Sequence, residues 1–327
     1  MMKKLLILLL IVSGNLAMSQ EKKKEESDKK DEKTIADLTK SSKKIEGLFT
    51  IYQDTLTGDV KMVLKENQLN EDFIYFSQIA DGVTEAGAFR GSYRGSTIIN
   101  IKKYFNKIEI VAPNTNFYFD PENPLSKSEG ANTSDAVISS NKVLVHEKEN
   151  GLYLIDANTL FLSETLTRIK YPKRPGASPM AFSLGSLDNG KSKIESIKNY
   201  PENTNIKTEY VYKNPSVLNG GSEAIKDGRN VSIKVFHSFL SMPEEGYTPH
   251  YDDPRVGFFI TQVNDMTSEK TTNYKDLVHR WRLIKKDPTQ PVSEPVKPIT
   301  WWIENSTPLE WRETIKEGVL AWNEAFE

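Results

Sequence analysis

The amino-acid sequence predicts a mainly β protein, with antiparallel sheets arranged as a sandwich or a barrel, followed by the start of an α/β domain at the C-terminal end. Short runs that alternate apolar and polar residues recur from Gly47 to Lys286, as expected for antiparallel strands with one face in water. The residues from Pro298 onward read instead as a strand followed by an amphipathic helix. The chain has no cysteine, so its domains depend on ordinary apolar cores.

The first residues predict an exported protein. Residues 1–19 combine two early lysines, an apolar run from Leu5 to Val12 and a small-residue end, which is the layout of a secretory signal peptide. The apolar run is too short to span a bilayer. Residues 20–34 are almost entirely charged and predict a disordered spacer. We therefore expect a periplasmic, outer-surface or extracellular protein without a transmembrane segment.

Residues 35–80 predict a small N-terminal β module. A short helix is expected around Thr34 to Lys43, followed by two strand-like runs joined by a hairpin at Thr57-Gly58. A third strand is expected from Phe73 to Ala80.

Residues 81–286 predict a large β-rich domain. Its strand-like runs are STIINIKKY, KIEIVAP, TNFYFD, NKVLVHEKENG, LYLIDANTLFL, NVSIKVFHSFL, VGFFITQVN and HRWRLIKK. Residues 165–228 have weak periodicity, and we expect long loops or short helices there. Residues 287–298 contain four prolines and predict an extended linker.

Residues 299–327 predict a strand and a capped helix. Alternating β-branched and aromatic residues indicate a strand over Ile299–Ile303. Thr307 and Glu310 have the spacing of a capping box, with Pro308 at the first helical position. The helix face that needs a partner is formed by Trp311, Ile315, Val319, Trp322 and Phe326. We expect that partner in sequence that follows Glu327.

The charge balance argues against a nucleic-acid-binding protein. The sequence has 43 basic and 45 acidic residues, for a net charge of −2. Basic residues are spread among acidic ones, without the patch of one sign that binding to phosphates requires.

No catalytic motif stands out, and we assign no catalytic, cofactor-binding or metal-binding residue. The four histidines (His146, His237, His250 and His279) are widely separated, and the sequence has no H-E-x-x-H, G-x-S-x-G or phosphate-loop motif. His146-Glu147 matches only the first half of a zinc motif. His237 lies on a predicted strand, where we expect a core or cross-strand residue.

Two further groups of residues have more than one interpretation. Residues 243–259 concentrate His250, Asp252, Asp253 and Arg255 in a loop. They could hold a cation, or the aspartates could cap a turn while Arg255 pairs with one of them, which we favour. Trp301, Trp302, Trp311 and Trp322 could form a sugar-stacking platform, although burial in a core fits three of them better.

The order of these segments resembles a family of exported bacterial zinc-dependent metalloproteases. That family has two N-terminal domains of unknown function and a catalytic domain similar to the metzincins. The resemblance covers most of residues 35–327. Its sharpest markers are Asp253, Arg255, Val256, Gly257, Arg280, Trp281, Arg282, Leu283, Trp311, Arg312, Gly318, Trp322, Asn323, Phe326 and Glu327.

The resemblance implies that residues 299–327 are the first strand and first helix of a zincin-like catalytic domain. In such enzymes, histidines on a later helix bind zinc and a glutamate activates the bound water. None of these residues can be assigned in this sequence, so the resemblance implies zinc in the full-length parent and none in this chain. The chain alone is then expected to be inactive.

The leading hypothesis is therefore the non-catalytic N-terminal region of a secreted zinc metallopeptidase. It would act as a scaffold, a substrate-docking surface or a latency element for a catalytic domain of the same polypeptide, with protein or peptide substrates as further partners. The alternative is a self-sufficient exported β-rich surface or carbohydrate-binding module.

Overall fold

The computed structural model describes residues 33–172, 175–243 and 246–327. The expected signal peptide, residues 1–19, lies outside the described residues, as do residues 20–32 of the expected spacer. The chain divides into two compact units. Of the described residues, the first unit contains those of 33–114 and 132–243, and the second contains 115–131 and 246–327.

The first unit is built on one antiparallel sheet of twelve strands. Helix α1 (Ile35–Leu38) precedes the sheet. The strands are β1 (Ser42–Ile45), β2 (Thr50–Asp54), β3 (Val60–Lys65), β4 (Asp72–Asp81), β5 (Tyr93–Tyr104), β6 (Lys107–Ala112), β8 (Ala136–Glu147), β9 (Leu152–Asp156), β10 (Ser186–Leu187), β11 (Lys193–Tyr200), β12 (Asn203–Lys213) and β13 (Asn230–Ser241), while β7 (Phe117–Tyr118) belongs to the second unit. Helix α2 (Asn158–Phe161) follows β9.

The sheet curls back on itself. Its strand order is β1-β2-β3-β9-β8-β6-β5-β4-β13-β12-β10, and β11 also pairs with β12. Strand β8 pairs with β6 over residues 136–142 and with β9 over residues 143–147, and both pairings contain a bulge. Bulges bend a strand and increase its twist. At the far side of the curl, the N–H of Leu48 donates to the carbonyl oxygen of Tyr200 at 2.7 Å, so the β1–β2 connection meets the β11–β12 hairpin.

The main apolar core lies inside this curl. The ring of Phe49, between β1 and β2, lies 5.0 Å from the ring of Phe73 on β4 and 5.8 Å from the ring of Phe239 on β13. Edge-to-face contacts of this kind are favourable beyond the apolar area they bury. Residues from the first and the last strands of the unit therefore share one core.

The side chain of Asn199 holds the two ends of the curled sheet together through hydrogen bonds. Its side-chain Nδ2 donates to the carbonyl oxygens of Ile45 at 3.0 Å and of Phe49 at 2.6 Å, and its Oδ1 accepts from the hydroxyl of Thr204 at 2.6 Å. Gly47 makes room for this amide, because a Cβ at position 47 would lie 2.0 Å from Asn199 Oδ1. Two of the three hydrogen bonds of this amide thus connect the start of the sheet to its end, and the bond from Thr204 holds the amide within the β11–β12 hairpin.

Residues 35–80, predicted as a separate module, do not form a compact unit of their own. Strand β4 pairs with β5 on one side and with β13 on the other. Strand β3 pairs with β9. Because β5, β9 and β13 all lie outside residues 35–80, the first strands are integral parts of the larger sheet.

The prediction of loops or short helices over residues 165–228 missed β10, β11 and β12. Strand β11 has three charged residues and Tyr200 at its exposed positions and only partly buried residues at the others, so its alternation is weak. Strand β12 is regular, but two of its buried positions are Thr204 and Thr208, which a hydrophobic pattern does not detect.

Two predicted elements have different ends in the structure. The helix expected over 34–43 is only one turn long, and β1 follows it. The strand expected over LYLIDANTLFL ends at Asp156, because the Asp156 carboxylate accepts from the N–H of Asn158 and turns the chain into α2. The mainly β character of the chain is confirmed.

The second unit contains a three-stranded sheet. Strand β14 (Ile260–Asp265) pairs antiparallel with β15 (Tyr274–Val278) and parallel with the short β7. Residues 279–284, predicted as a strand, are irregular. Residues 287–298, predicted as an extended linker, fold back, and the N–H of Lys286 donates to the carbonyl oxygen of Glu294 at 2.8 Å.

The C-terminal residues form helices α3 (Leu309–Leu320) and α4 (Asn323–Phe326). The helix prediction is confirmed, but the capping box is wrong: α3 begins after Pro308, and no side chain caps it. Arg312 instead ties the helix to the preceding loop, with its Nη2 donating to the carbonyl oxygen of Asn305 at 2.7 Å. Residues 299–303 form no strand, because no neighbouring strand accepts their backbone hydrogen bonds.

Replacing Asn199 by alanine should destabilise the first unit. The carbonyl oxygens of Ile45 and Phe49 lose their donor, and leaving buried polar groups unpaired costs about 1–3 kcal/mol. Urea unfolding followed by circular dichroism measures this loss. The matched control is Asn150→Ala, because Asn150 is exposed and makes only a 3.4 Å contact with Glu147. A loss for Asn199→Ala no larger than for the control would contradict the role of Asn199 in closure.

Candidate functional site

The four histidines lie in separate environments. His237 on β13 is completely buried in the first unit, and His146 on β8 is partly buried. In the second unit, His250 precedes the sheet and His279 follows β15. Among the described residues, no group of three His, Cys, Asp or Glu side chains is arranged to hold a metal ion.

His237 forms a polar layer inside the curled sheet. Its Nδ1 lies 2.8 Å from the hydroxyl of Tyr75 on β4, and its Nε2 lies 3.0 Å from the hydroxyl of Tyr210 on β12. Ser77 is its cross-strand partner on β4, and Ile206 is its partner on β12. The prediction of a core or cross-strand histidine is confirmed.

The tautomer of His237 follows from the surroundings of Tyr210. The Tyr210 hydroxyl lies 2.9 Å from the carbonyl oxygen of Phe161 and 3.0 Å from that of Ser163, and both oxygens can only accept. The single Tyr210 proton is therefore used by these carbonyls, and His237 Nε2 must donate to the Tyr210 oxygen. Nδ1 is then the acceptor, and Tyr75 donates to it. The hydrogen bonds run in one direction from Tyr75 to the carbonyls.

Burial determines the protonation of this layer. It lowers the pKa of His237 to about 3, since no carboxylate compensates the cost of placing an imidazolium in the core. It raises the pKa of the Tyr75 and Tyr210 hydroxyls above their ordinary value. All three groups are neutral and closed to solvent, so the layer supports the fold and offers no access to a substrate.

His146 and Glu147 also have structural partners. The His146 ring stacks on the ring of Tyr153 at 4.1 Å between centroids. Glu147 Oε1 accepts from the N–H of Ile35 at 2.9 Å, which satisfies a free donor at the start of α1. The apparent first half of a zinc motif therefore joins β8 to its neighbours.

The loop of residues 246–259 is organised by Asp253 and Arg255. The N–H of Arg255 donates to Asp253 Oδ1 at 3.0 Å, and its guanidinium donates to both carboxylate oxygens. This pairing lowers the pKa of Asp253. Asp252 and His250 join the loop to β15 through backbone hydrogen bonds with Asp276 and Val278. The interpretation of this segment as a capped turn with a paired arginine is confirmed.

The C-terminal segment presents a large aromatic surface. The exposed fractions of Trp301, Trp302, Trp311 and Trp322 are 69%, 90%, 58% and 67%. Leu309, Ile315 and Phe326 are exposed beside them. Core burial was expected for three of these tryptophans, and that expectation is wrong within this structure because no described element covers α3. We define residues 299–327 as the aromatic segment; it is the strongest candidate for a functional surface.

No helix among the described residues is both long enough and apolar enough to cross a bilayer. Helix α3 is twelve residues long and carries charged residues between its apolar ones.

Comparison with known families identifies the larger part of the chain. Residues 91–286 match the family described as Domain of unknown function (DUF5117), and this match covers more than half of the sequence. The chain belongs to the DUF5117 family. No curated protein and no solved structure matched it.

The DUF5117 region includes all four histidines and the Asp253–Arg255 loop. It begins just before β5, so it leaves out β1 to β4 of the sheet. It ends before the aromatic segment. The DUF5117 description assigns no chemistry, and the buried tyrosine–histidine layer could not be found by motif search because its members come from three separate strands.

The Nε2–H tautomer of His237 can be tested by NMR. In a ¹⁵N-labelled protein, long-range proton–nitrogen correlations should show Nε2 protonated and Nδ1 unprotonated, because Tyr210 uses its own proton on the carbonyls. The Tyr210→Phe variant removes this constraint and should allow both tautomers. A protonated Nδ1 in the unmodified protein would contradict the direction of the hydrogen bonds.

Stability should fall with acidity through His237. Its pKa is about 3 in the folded chain and 6.5 when unfolded, so below pH 6.5 only the unfolded chain binds the proton. The free energy of unfolding should decrease by up to about 1.4 kcal/mol per pH unit from there toward pH 3. Urea unfolding across this window measures the slope. The His237→Gln variant lacks this proton and should have a shallower slope; equal slopes would contradict the prediction.

Proposed function

We propose that this chain is the non-catalytic, β-rich region of an exported zinc-dependent metallopeptidase. In this proposal the curled sheet is a scaffold, and the aromatic segment contains the first helix of a catalytic domain of the same polypeptide and docks against the rest of that domain. The chain itself carries out no peptide hydrolysis.

The observation that supports docking is the exposure of the aromatic segment. Four tryptophans with exposed fractions of 58–90% lie within 22 residues of one another. Large exposed apolar surface on a protein often marks a site of interaction with a partner. Tryptophan is also among the residues that contribute most to binding at the centre of interfaces.

The resemblance of the same residues to the first helix of a zincin-like domain supports the identity of the partner. Helix α3 is fixed at its start by Arg312, whose Nε donates to the carbonyl oxygen of Thr307 at 3.0 Å. A helix held at one end, with its apolar residues uncovered, is suited to become part of a larger core. A catalytic domain that packs over α3 would bury Trp311, Ile315 and Trp322.

The proposal places zinc in the catalytic domain and not in this chain. Its usual ligands are cysteine, histidine and carboxylate side chains, and no described group of three is suitably arranged. His237, the most buried histidine, uses both ring nitrogens for tyrosine hydroxyls. In the proposal the zinc chemistry belongs to the catalytic domain, and residues of this chain take no part in it.

One observation favours a second function. Exposed tryptophans can stack on sugar rings, and Trp302 is the most exposed of the four at 90%. An exported carbohydrate-binding surface module would use this property without a catalytic partner. The two functions differ in what covers the aromatic segment: a protein domain in the first, and a glycan in the second.

The first function predicts that the reading frame continues beyond codon 327 into an H-E-x-x-H motif within about 200 codons, the size range of one domain. It also predicts that the 327-residue chain binds no stoichiometric zinc and does not cleave casein. Metal analysis and a casein assay with and without a chelator measure these properties. Chelator-sensitive proteolysis by this chain would overturn the proposal.

Titration with soluble polysaccharides distinguishes the second function. Quenching of tryptophan fluorescence that is lost in Trp302→Ser and kept in Trp281→Ser would favour carbohydrate binding. Trp281 is the matched control because it is 59% exposed but lies outside the aromatic segment.

A further inference from the structure

A second exposed surface lies on the first unit, at the turn that joins β5 to β6. We define residues 102–107, Lys-Lys-Tyr-Phe-Asn-Lys, as the basic tip. Phe105 and Asn106 are the two loop residues of the hairpin, and Tyr104 and Lys107 are the last cross-strand pair. The basic tip contains three lysines, two aromatic residues and no acid. Lys102 is ion-paired with Asp135 at 3.8 Å, so the charges that concern us are those of Lys103 and Lys107.

Phe105 has a left-handed backbone conformation, which glycine and asparagine adopt more readily than phenylalanine. Its φ is +49°, and the other two non-glycine residues with positive φ in the described part of the chain are asparagines, Asn70 and Asn132. The first loop position of such a hairpin is usually glycine or asparagine, because a bulky side chain is strained there. Phe105 is nevertheless 79% exposed, and its described ring contact is with Tyr104, 4.9 Å away. The fold gains little from this phenylalanine.

Lysines surround the two aromatic side chains on both faces of the sheet. Tyr104, Lys107 and Lys142 are directly opposite one another on β5, β6 and β8, so they share the outward face. Two lysines in directly opposed positions repel each other. Neither Lys107 nor Lys142 has an ion-pair partner among the described residues. Lys103 lies on the other face, with its Nζ 5.7 Å from the ring of Tyr153.

A shallow groove adjoins the basic tip. It has a volume of about 280 Å³ and is lined by Lys103, Phe105, Asn106, Leu144, His146 and Tyr153. Pockets for drug-sized ligands typically measure about 300–1,000 Å³, so this groove is small and open for such a ligand. The prominent feature is the hairpin turn itself, with two exposed aromatic side chains and with Lys103, Lys107 and Lys142 beside them.

We propose that the basic tip is a docking site for an anionic lipid surface. Aromatic side chains at a protein's edge insert at the boundary between headgroups and acyl chains, and lysines beside them are attracted to anionic headgroups. The backbone strain at Phe105 and the repulsion between Lys107 and Lys142 are unfavourable in the free protein. On an anionic lipid surface, insertion of the Phe105 ring offsets the first, and attraction of the lysines to the headgroups offsets the second.

The hairpin turn between β2 and β3 provides an internal comparison. It also exposes an apolar side chain, Leu56, with an exposed fraction of 87%. It is flanked by Asp54 and Asp59 instead of lysines. An anionic surface repels these carboxylates, so exposure of an apolar residue alone does not produce the same site.

Vesicle sedimentation of the full chain tests the proposal. The protein should sediment with vesicles of phosphatidylcholine and phosphatidylglycerol but not with phosphatidylcholine alone, and salt should weaken the binding. Phe105→Asn should reduce binding roughly tenfold because it removes the inserting ring. Lys107→Gln and Lys142→Gln should each reduce it about fivefold. Leu56→Asn is the matched control and should bind like the unmodified protein.

Thermal unfolding of the same variants separates binding from folding. Phe105→Asn should melt at the same temperature as the unmodified protein or higher, because asparagine tolerates a positive φ. A lower melting temperature would overturn the argument from strain. Equal sedimentation with neutral and anionic vesicles, or none with either, would overturn the proposal. Binding to soluble polyglutamate, lost in the lysine variants and without vesicle binding, would assign the basic tip to an acidic polypeptide instead.

Discussion

The closure of the curled sheet at Asn199 is the constraint on which the first unit depends. A sheet of twelve strands leaves two edges with unpaired backbone groups, and such edges favour aggregation. Here the β1–β2 connection meets the β11–β12 hairpin, and one amide side chain bonds to both. The same closure brings the ring of Phe49 into contact with that of Phe239, so the hydrogen bonds of Asn199 and the apolar core stabilise the same closed arrangement.

The polar layer around His237 depends on this closed interior. A buried imidazole is tolerable only when both nitrogens have partners, and the two tyrosines supply them from the strands on either side. Such a layer specifies register, since a shift of β13 by one residue would turn His237 outward and remove the acceptor of the Tyr75 hydroxyl. A structural role of this kind explains why a conspicuous histidine does not indicate catalysis.

The sequence predicted the elements with strong local signals. The alternation of β4 and β13, the hairpin at Thr57-Gly58 and the helix after Pro308 all appear in the structure. It did not predict β11 and β12, because Thr204 and Thr208 occupy core positions where apolar residues are expected. It also could not predict that β4 lies beside β13, since strand pairing is decided by tertiary contacts. The exposure of Trp302 could not be predicted for the same reason, since the burial of a side chain also depends on tertiary contacts.

The position of β4 in the middle of the sheet also bears on how this chain folds. Tyr75 and His237 form a hydrogen bond although 162 residues separate them in sequence. Pairings between distant segments raise the contact order, and proteins of high contact order fold slowly. During synthesis β4 can pair with β5 on one side, but its other side has no partner until β13 has emerged. The backbone groups on that side therefore stay unpaired for most of that time. A chaperone that protects exposed strands would therefore have its longest engagement with β4.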